Sequence, residues 1–369
     1  MVMDDVVDDV LLTEEEYSDL NEADPIVQQI TYSGQDFDIE GLVRRLEKGD
    51  IVIPRFGRND PTLETVGFQR GFVWRKPQMD RFIESLLLGF PIPGIFLVRQ
   101  VDRRYLVLDG QQRLLTLKSF YGGVHQHKEF SLTNVSDKFL GLTYAKLPNE
   151  LRRTLDDAFI QATIVNLDGS RSSLESVYQI FERLNSGGTQ LTPHEIRIAL
   201  HAGKLVEELE RLNNDPRWRK LYGAKSPRVR DQELILRIIA LYVSSSQYSR
   251  PLKSFLNRFM DDYRDANDVA LVEAMKLFMQ ASDLLLNGPG TDALRKASRQ
   301  VNAAQTEAIY VGLMRRLSSG AVQSESVTTA VHSLRNNSKF DSATGKSTAD
   351  DDSVATRLEV ATATFADVS

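Results

Sequence analysis

The sequence predicts an α+β protein, with a mixed α/β domain in its first half and an α-helical domain after it. Up to about residue 167, short apolar runs typical of strands alternate with segments whose apolar residues recur at helical spacing. From about residue 173 the strand signals nearly vanish and longer apolar helical segments take over. At 369 residues the chain is long for a single core. We therefore expect an acidic arm at 1–25, an α/β domain at 26–167 and a helical domain at 168–369.

Strands and helices of the first domain follow from apolar spacing and from the residues that end each element. Strands are expected in the runs IVQQITYSG, DIVIPRF, PIPGIFLVRQ, RYLVLDG and AFIQATIVNL. Helices are expected at residues 37–49, 79–88, 111–121 and 147–155. The segment 68–77, FQRGFVWRKP, is predicted to be irregular and mixes aromatic with cationic residues.

The second half reads as helices separated by polar turns. Helices are expected at residues 234–242, 252–260, 269–286 and 303–317, with a short final helix at the end of the chain. Residues 336–353, NNSKFDSATGKSTADDDS, are polar and turn-rich, so we predict a surface loop there.

Composition excludes several classes of protein. The chain has no cysteine, which rules out disulfides and thiolate metal sites and is typical of a reducing compartment. It has no basic region at its start and no run of about 18 apolar residues, so neither secretion nor a membrane span is indicated. We expect a cytoplasmic protein with no membrane partner.

Charge is distributed unevenly along the chain. The net charge is −6, but residues 1–24 carry ten acidic side chains and no Lys or Arg, which amounts to −10. Subtracting −10 from −6 leaves about +4 for the other residues, so overall acidity does not argue against a nucleic-acid partner. The arm is expected to be solvated and disordered; the alternative is that it covers a basic groove and competes there with phosphate.

The stretch VLDGQQRLLTL carries the first candidate site. A strand that ends at Leu108, a turn at Asp109-Gly110 and a helix that starts at Gln111 would aim free helix N–H groups at the end of the strand, where they favour anions. Arg113 adds a planar fork suited to phosphate oxygens, and Asp109 is a candidate to bind Mg²⁺ or orient water. The two glutamines, Gln111 and Gln112, offer donors and acceptors together. The alternative is a capped turn with a surface ion pair and solvated amides.

The stretch FERLNSGGTQLTPHEIR carries the second candidate. Asn185, Gly187 and Gly188 lie in a flexible turn that would close over a ligand held by DGQQR. Thr192 would cap the next helix, with Glu195 three residues later as its partner in a capping box. The alternative is an ordinary loop between helices.

Three further patterns were weighed. RWRKLYGAKSPRVR has six cations and no acid, and it is the best candidate in the helical half to contact a DNA backbone, although a solvated basic face is the simpler interpretation. Its cations are Arg217, Arg219, Lys220, Lys225, Arg228 and Arg230. His125-Gln126-His127 lacks a nearby third metal ligand, and Gly345-Lys346-Ser347-Thr348 lacks the first glycine and the preceding strand of a phosphate-binding loop.

Four stretches together resemble a known family. QRGFVW, IESLLLGFPIPGIFL, VLDGQQRLLTL and FERLNSGGTQLTPHEIR stand in the order and approximate spacing of the N-terminal domain of GmrSD-type modification-dependent restriction enzymes, a group that includes SspE-like phosphorothioate sensors. The resemblance covers about residues 26–245.

The resemblance implies a ParB/sulfiredoxin-like core that binds a nucleotide and, as in characterised relatives, hydrolyses it. It assigns Asp109, Gly110, Gln111, Gln112 and Arg113 to the nucleotide-phosphate site. We expect Asp109, Gln111, Gln112 and Arg113 to be catalytic there, with Mg²⁺ bound by Asp109. The resemblance places Gln69 and Arg70 near the same cleft as nucleotide-binding residues.

One departure from the family concerns the nuclease. Full-length relatives often carry a C-terminal HNH domain, but none of the five histidines here stands in an HNH arrangement. We therefore expect an NTPase that senses DNA, modified or not, and works with a separate nuclease subunit in restriction or anti-phage defence. The alternative is a non-enzymatic DNA-binding or adaptor module that regulates such a nuclease.

Overall fold

The computed structural model describes residues 29–53, 74–184, 191–295 and 300–368. The chain divides into two compact units, Ile26–Gln190 and Leu191–Ser369. The first unit combines a sheet with helices and the second is helical, so the predicted α+β class is confirmed. The predicted acidic arm lies outside the described residues.

The first unit contains a mixed five-stranded sheet. Its strands are β1 (Tyr32–Asp38), β2 (Ile51–Val52), β3 (Ile95–Arg99), β4 (Tyr105–Asp109) and β7 (Phe159–Asn166). They lie in the order β1-β7-β3-β4-β2, with β1 antiparallel to β7, β7 parallel to β3, β3 antiparallel to β4 and β4 parallel to β2. The pair β5 (Val124–His125) and β6 (Lys128–Glu129) forms a separate small hairpin. The candidate site therefore lies at the end of β4, which pairs with β3 inside the sheet.

Within the described residues of this unit, five helices accompany the sheet. They are α1 (Ile39–Lys48), α2 (Lys76–Leu87), α3 (Gln111–Tyr121), α4 (Asn149–Asp156) and α5 (Arg171–Leu184). The apolar faces of α1 to α4 share one core with β3, β4 and β7, where the buried side chains include Met79, Ile83, Ile95, Leu114 and Leu117. This core fixes the position of α3 relative to β4.

Two boundaries in the first unit differ from the sequence prediction. Phe37, expected at the start of a helix, is the buried residue of β1 and pairs with Ile160 of β7; the helix begins only after Asp38 caps it through the Gly41 N–H, at 2.6 Å. The first unit also runs on to Gln190 instead of ending near 167, because α5 packs against β4.

The second unit contains ten helices among its described residues. They are α6 (Pro193–Leu200), α7 (Lys204–Asn213), α8 (Pro216–Tyr222), α9 (Arg230–Ser244), α10 (Leu252–Asp262), α11 (Val269–Asn287), α12 (Ala303–Leu317), α13 (Ser324–Arg335), α14 (Ser338–Ala343) and α15 (Asp351–Ala366). The predicted surface loop at 336–353 is wrong in part, because α14 forms there and buries Phe340 and Ala343. Two apolar residues in a polar stretch are enough to pack one short helix.

A buried ion-pair triad joins three of these helices. Glu307 of α12 accepts hydrogen bonds from Arg237 of α9, at 2.9 Å, and from Arg357 of α15. Burial opposes ionisation of the Glu307 carboxyl, but the two guanidinium groups more than offset it and hold its pKa below the usual range. Since breaking such a pair leaves a buried charge, the triad restricts how these helices can pack.

Helix α6 carries two buried histidines. His194 lies 3.2 Å from the Gln232 side-chain oxygen and 3.4 Å from the Arg197 guanidinium, which fixes Nδ1 as acceptor and Nε2 as donor. Burial and the nearby Arg197 charge lower the pKa of His194 to about 3, and burial, Arg197 and Arg264 lower that of His201 to about 3. Both side chains are therefore neutral in the folded protein.

These histidines predict a pH-dependent stability for the helical unit. In the unfolded chain each histidine protonates near pH 6.5, whereas in the folded chain it stays neutral down to about pH 3. The stabilisation is complete above about pH 6.5, and each histidine lowers the free energy of unfolding by about 1.4 kcal/mol per pH unit as the pH falls below that value. Urea denaturation between pH 7.5 and 5.0, followed by circular dichroism, measures this slope.

The control is the exposed histidine of α13, His332. His194→Gln is expected to reduce the pH slope by about the contribution of one histidine, and His332→Gln is expected to leave it unchanged. Equal slopes in wild type and His194→Gln would contradict the assignment of a neutral buried imidazole.

Candidate phosphate-binding site

A single glycine turns β4 into α3. Gly110 is the N-cap of α3 and has a φ of 93°, in the left-handed region that L side chains rarely adopt. A Cβ at this position would lie 2.4 Å from Cγ2 of Ile95, a fully buried residue of β3. The turn therefore requires glycine for both its backbone conformation and its space. It places the start of α3 directly at the carboxyl end of β4, as the sequence predicts.

The helix start offers backbone donors. An N-cap glycine has no side chain to accept from the first-turn N–H groups, which also lack partners within the helix. The helix dipole adds a partial positive charge at the same end. Since α3 is eleven residues long, both effects favour an anion at its start.

Arg113 turns back towards the strand that precedes it. Its Nη2 donates to Oδ2 of Asp109 at 2.8 Å, and its Nη1 donates to the carbonyl of Pro93 at 2.9 Å. The Arg113 side chain is 13% exposed, whereas that of Asp109 is 48% exposed. The ion pair weighed as the simpler alternative is therefore present. A guanidinium has five N–H donors, so two bonds leave three for a ligand.

The two glutamines occupy different settings. Gln112 accepts the backbone N–H of Trp74 on its side-chain oxygen, at 3.1 Å. Its own carbonyl accepts from the buried Thr116 hydroxyl at 2.7 Å. Gln111 is half-buried at the first position of α3. Gln112 thus contacts the segment before α2. Its position in the sequence does not indicate this contact.

The chemistry of Asp109 allows a metal ion. Among the described residues, no group of three or more His, Asp or Glu side chains could form a metal site of its own. Mg²⁺ bound together with a nucleotide needs only one or two protein carboxylates, because phosphates and waters supply the other ligands. Oδ2 of Asp109 pairs with Arg113, and the half-exposed carboxylate presents Oδ1 as a further acceptor. Asp109 therefore fits the predicted role of metal ligand.

Several predicted site residues lie outside the described residues. They are Gln69, Arg70, Asn185, Gly187 and Gly188. Their roles stay predictions. The capping box after this second stretch is present: the Thr192 hydroxyl accepts from the Glu195 N–H at 3.1 Å, and the Glu195 carboxylate accepts from the Thr192 N–H at 2.7 Å.

The predicted basic face at 217–230 is largely paired within the helical unit. Arg217 pairs with Asp215 at 2.7 Å, and Arg219 pairs with Asp231 at 2.7 Å. These acids lie just outside the acid-free window, which is why the window alone overstated the free charge. Of the other four cations, Lys220 is exposed, Lys225 and Arg230 are half-buried, and Arg228 is buried.

For Arg228, one of the six cations predicted to contact DNA, the prediction is wrong. Its side chain is 1% exposed and lies 3.4 Å from the carboxylate of Glu195. A guanidinium in this position is out of reach of a DNA backbone. The other five cations of the segment remain the predicted contacts.

The other two motifs have structural explanations. His125 ends β5 and His127 lies in the two-residue turn before β6, where Gln126 and His127 both have positive φ. Burial and the charge of Lys76 lower the pKa of His125. The Gly345–Thr348 stretch lies between helices α14 and α15, so no strand leads into it.

Three residues outside the motif fix the site, and their sequence pattern does not predict this role. Ile95 leaves no space at Gly110, Pro93 holds Arg113, and Trp74 meets Gln112. The run GFPIPGIFL contains the first two and was interpreted only as a connection and a strand. An apolar residue or a backbone carbonyl gives no chemical signal in a sequence, so these contacts required the structure.

Substitution of Gly110 tests the turn. Gly110→Ala is expected to lower the free energy of unfolding by about 1–3 kcal/mol more than Gly123→Ala, because overpacking against Ile95 adds to the cost of positive φ. Gly123 is the matched control, with a φ of 71° and no atom within 4 Å of its added Cβ. Denaturant unfolding measures both variants. Equal losses would show that the turn relaxes away from Ile95.

Comparison with known proteins gives one match. Residues 39–202 match the family described as the GmrSD restriction endonuclease, N-terminal domain. No curated protein and no solved structure matches the chain. Within the part of the chain that the structure describes, no helix has both the length and the apolar character needed to cross a bilayer.

The matched segment begins at the first residue of α1 and ends just after α6, so it contains β4, Gly110 and α3 together with the capping box at Thr192. The resemblance drawn from the four sequence stretches is thereby confirmed. Residues 39–202 of this chain therefore match the GmrSD restriction endonuclease N-terminal domain.

Proposed function

We propose that this chain binds a nucleoside triphosphate at the start of α3 and hydrolyses it with Mg²⁺ as part of a DNA-sensing restriction or anti-phage system. The observation that carries the proposal is the Asp109–Arg113 pair, which lies at a helix start whose N-cap residue has no side chain. A carboxylate and N–H donors that can bind an anion thus lie within one helical turn of each other. The family match supports the relation to restriction.

Phosphate binding draws on Arg113 and the first turn of α3. The guanidinium is already held by Asp109 and by the Pro93 carbonyl, so little side-chain freedom remains to be lost when a phosphate arrives. Its remaining donors and the backbone N–H groups of α3 would contact phosphate oxygens together.

Hydrolysis requires a group that holds the metal or the attacking water. Asp109 would bind Mg²⁺ through its exposed oxygen, and the ion would neutralise charge on the phosphates when bound. Gln111, at the first position of α3, would orient a water through its amide, a role for which it needs no change of charge. Gln69 and Arg70 are proposed as further nucleotide contacts.

Recognition of DNA and its cleavage are assigned to different parts of the system. The family description names a restriction endonuclease, and we propose that a separate nuclease subunit cuts the DNA. Two of the five histidines, His194 and His201, are buried in the helical unit, and Gln232 and Arg197 occupy both ring nitrogens of His194, so His194 has no nitrogen left for a metal ion.

A second function is favoured by the pairing of Arg113 with Asp109. The pair cancels the charge at the site, and a phosphate can add to it without any turnover. In that case the chain is a non-enzymatic module that holds a phosphate of the DNA backbone or a nucleotide and regulates a partner nuclease.

Phosphate release separates the two functions. The assay uses ATP, GTP, CTP and UTP in turn with Mg²⁺, with and without DNA, on wild type, Arg113→Ala and Asp109→Asn. We expect one nucleotide to be hydrolysed and each variant to lose about 100-fold or more in kcat/KM, the usual cost of removing a group that stabilises developing charge.

The matched control is Arg104→Ala. Arg104 pairs with Asp102 at 2.6 Å just before the first residue of β4, so its loss also breaks an Arg–Asp pair but at the other end of the strand. Its activity should equal that of wild type. Nucleotide binding without turnover in wild type would favour the non-enzymatic module, and loss of activity in the Arg104 variant would show that any broken pair is enough.

A further inference from the structure

We propose that Gln112 is a positioning residue that couples nucleotide occupancy at the start of α3 to Trp74, so that Trp74 reports the state of the site. The inference rests on the proposed nucleotide site and deepens it, because it assigns Gln112 a role through another residue instead of direct catalysis. The contact that carries it is the 3.1 Å hydrogen bond from the Trp74 N–H to the Gln112 side-chain oxygen.

The position of Gln112 makes it sensitive to a ligand. It is the second residue of α3 and directly precedes Arg113. A phosphate that binds the first-turn N–H groups must draw on this turn, since the donors belong to the same residues. The main chain of Gln112 is tied to the next turn by Thr116, which is fully buried. Because this end of the helix is not loose, a shift of the helix start also moves the Gln112 side chain.

The other end of the hydrogen bond is connected to the core. The Trp74 ring packs edge-to-face on Phe82 of α2, with 5.5 Å between ring centroids. Phe82 is buried beside Met79 and Ile83 on the inner face of α2. The Trp74 backbone is thus hydrogen-bonded to the start of α3, and its side chain packs on the core face of α2. A change in the Gln112 bond alters the surroundings of the indole.

Trp74 is a usable probe because the chain contains only two tryptophans. The other, Trp218, is fully buried on α8 in the helical unit and donates to Asn213 at 3.0 Å. The Trp74 ring is half-buried, so its emission depends on small changes in solvent contact. Loss of a signal in Trp74→Phe assigns that signal to Trp74.

The experiment titrates intrinsic fluorescence of the full chain with each of the four nucleoside triphosphates in the presence of Mg²⁺. Binding of radiolabelled nucleotide is measured in parallel on the same samples. We expect a saturable emission change in wild type with the midpoint found by direct binding, and no change in Trp74→Phe.

Two variants of Gln112 separate positioning from a general effect. Gln112→Glu keeps an oxygen acceptor for the Trp74 N–H, and Gln112→Met has similar length without that acceptor. We expect Gln112→Met to bind nucleotide but to lose at least two thirds of the emission change, with kcat reduced at least tenfold and KM within threefold. Gln112→Glu should retain the emission change at saturating nucleotide, with a raised Kd because the added carboxylate repels phosphate. Lys118→Met, in the last turn of α3, serves as the control for a substitution in this helix.

Each outcome bears on the proposal. A full emission change and unaltered kcat in Gln112→Met would overturn the coupling, as would nucleotide binding with no emission change in wild type. Absence of nucleotide binding in the direct assay would overturn the proposed function and this inference with it. If Gln112→Met does not fold, as judged by circular dichroism, Gln112→Ala, which also removes the acceptor, replaces it: a full emission change and unaltered kcat in that variant would overturn the coupling.

Discussion

The candidate site depends on the contact between Gly110 and Ile95. Ile95 is fully buried in β3, where it pairs with Ala162 of β7, so it cannot move without disturbing two central strands of the sheet. Gly110 must therefore fit the space that Ile95 leaves, and only a residue without a Cβ does so at a φ of 93°. The direction in which α3 leaves β4 follows from this fit. The positions of Arg113 and Gln112 follow in turn, because both lie in the first turn of α3.

Charge at the site is balanced before any ligand is present. Arg113 is shielded from solvent by the surrounding chain, and Asp109 offsets its charge at 2.8 Å. An incoming phosphate must therefore share the guanidinium with a carboxylate that repels it. For the proposed site, this competition would weaken binding by phosphate alone and would give a divalent cation on Asp109 a large effect, since the cation would remove the repulsion. A site of this kind would favour a nucleotide with its metal over free phosphate.

The sequence predicted those features that have a local cause. The strand end, predicted at Leu108 and found one residue later at Asp109, the turn at Gly110, the helix start at Gln111 and the capping box at Thr192 all depend on residues within four positions of one another. The boundary at Phe37 was missed because the hydrophobic spacing fits a helix, whereas pairing with β7 decides the strand. Likewise, Asp215 and Asp231 neutralise cations of the basic segment from beyond its ends. Long-range pairing and apolar contacts at Ile95 and Trp74 leave no mark in the local pattern.

Two Arg–Asp pairs flank β4, and the difference between them shows why the same chemistry has different consequences at its two ends. Arg104 and Asp102 are 55% and 49% exposed, so water screens their attraction and the pair contributes little to stability. At the other end, Arg113 is 13% exposed and also donates to the Pro93 carbonyl, which fixes the plane of its guanidinium. Lower exposure strengthens the electrostatic interactions of the Arg113 guanidinium. Because its plane is already fixed, the guanidinium loses less conformational entropy when a ligand binds. Of the two pairs, only the second stands beside the start of a helix. The residue types are thus common to both ends of the strand, and it is the burial of Arg113 and the start of α3 that distinguish a candidate phosphate site from an ordinary surface ion pair.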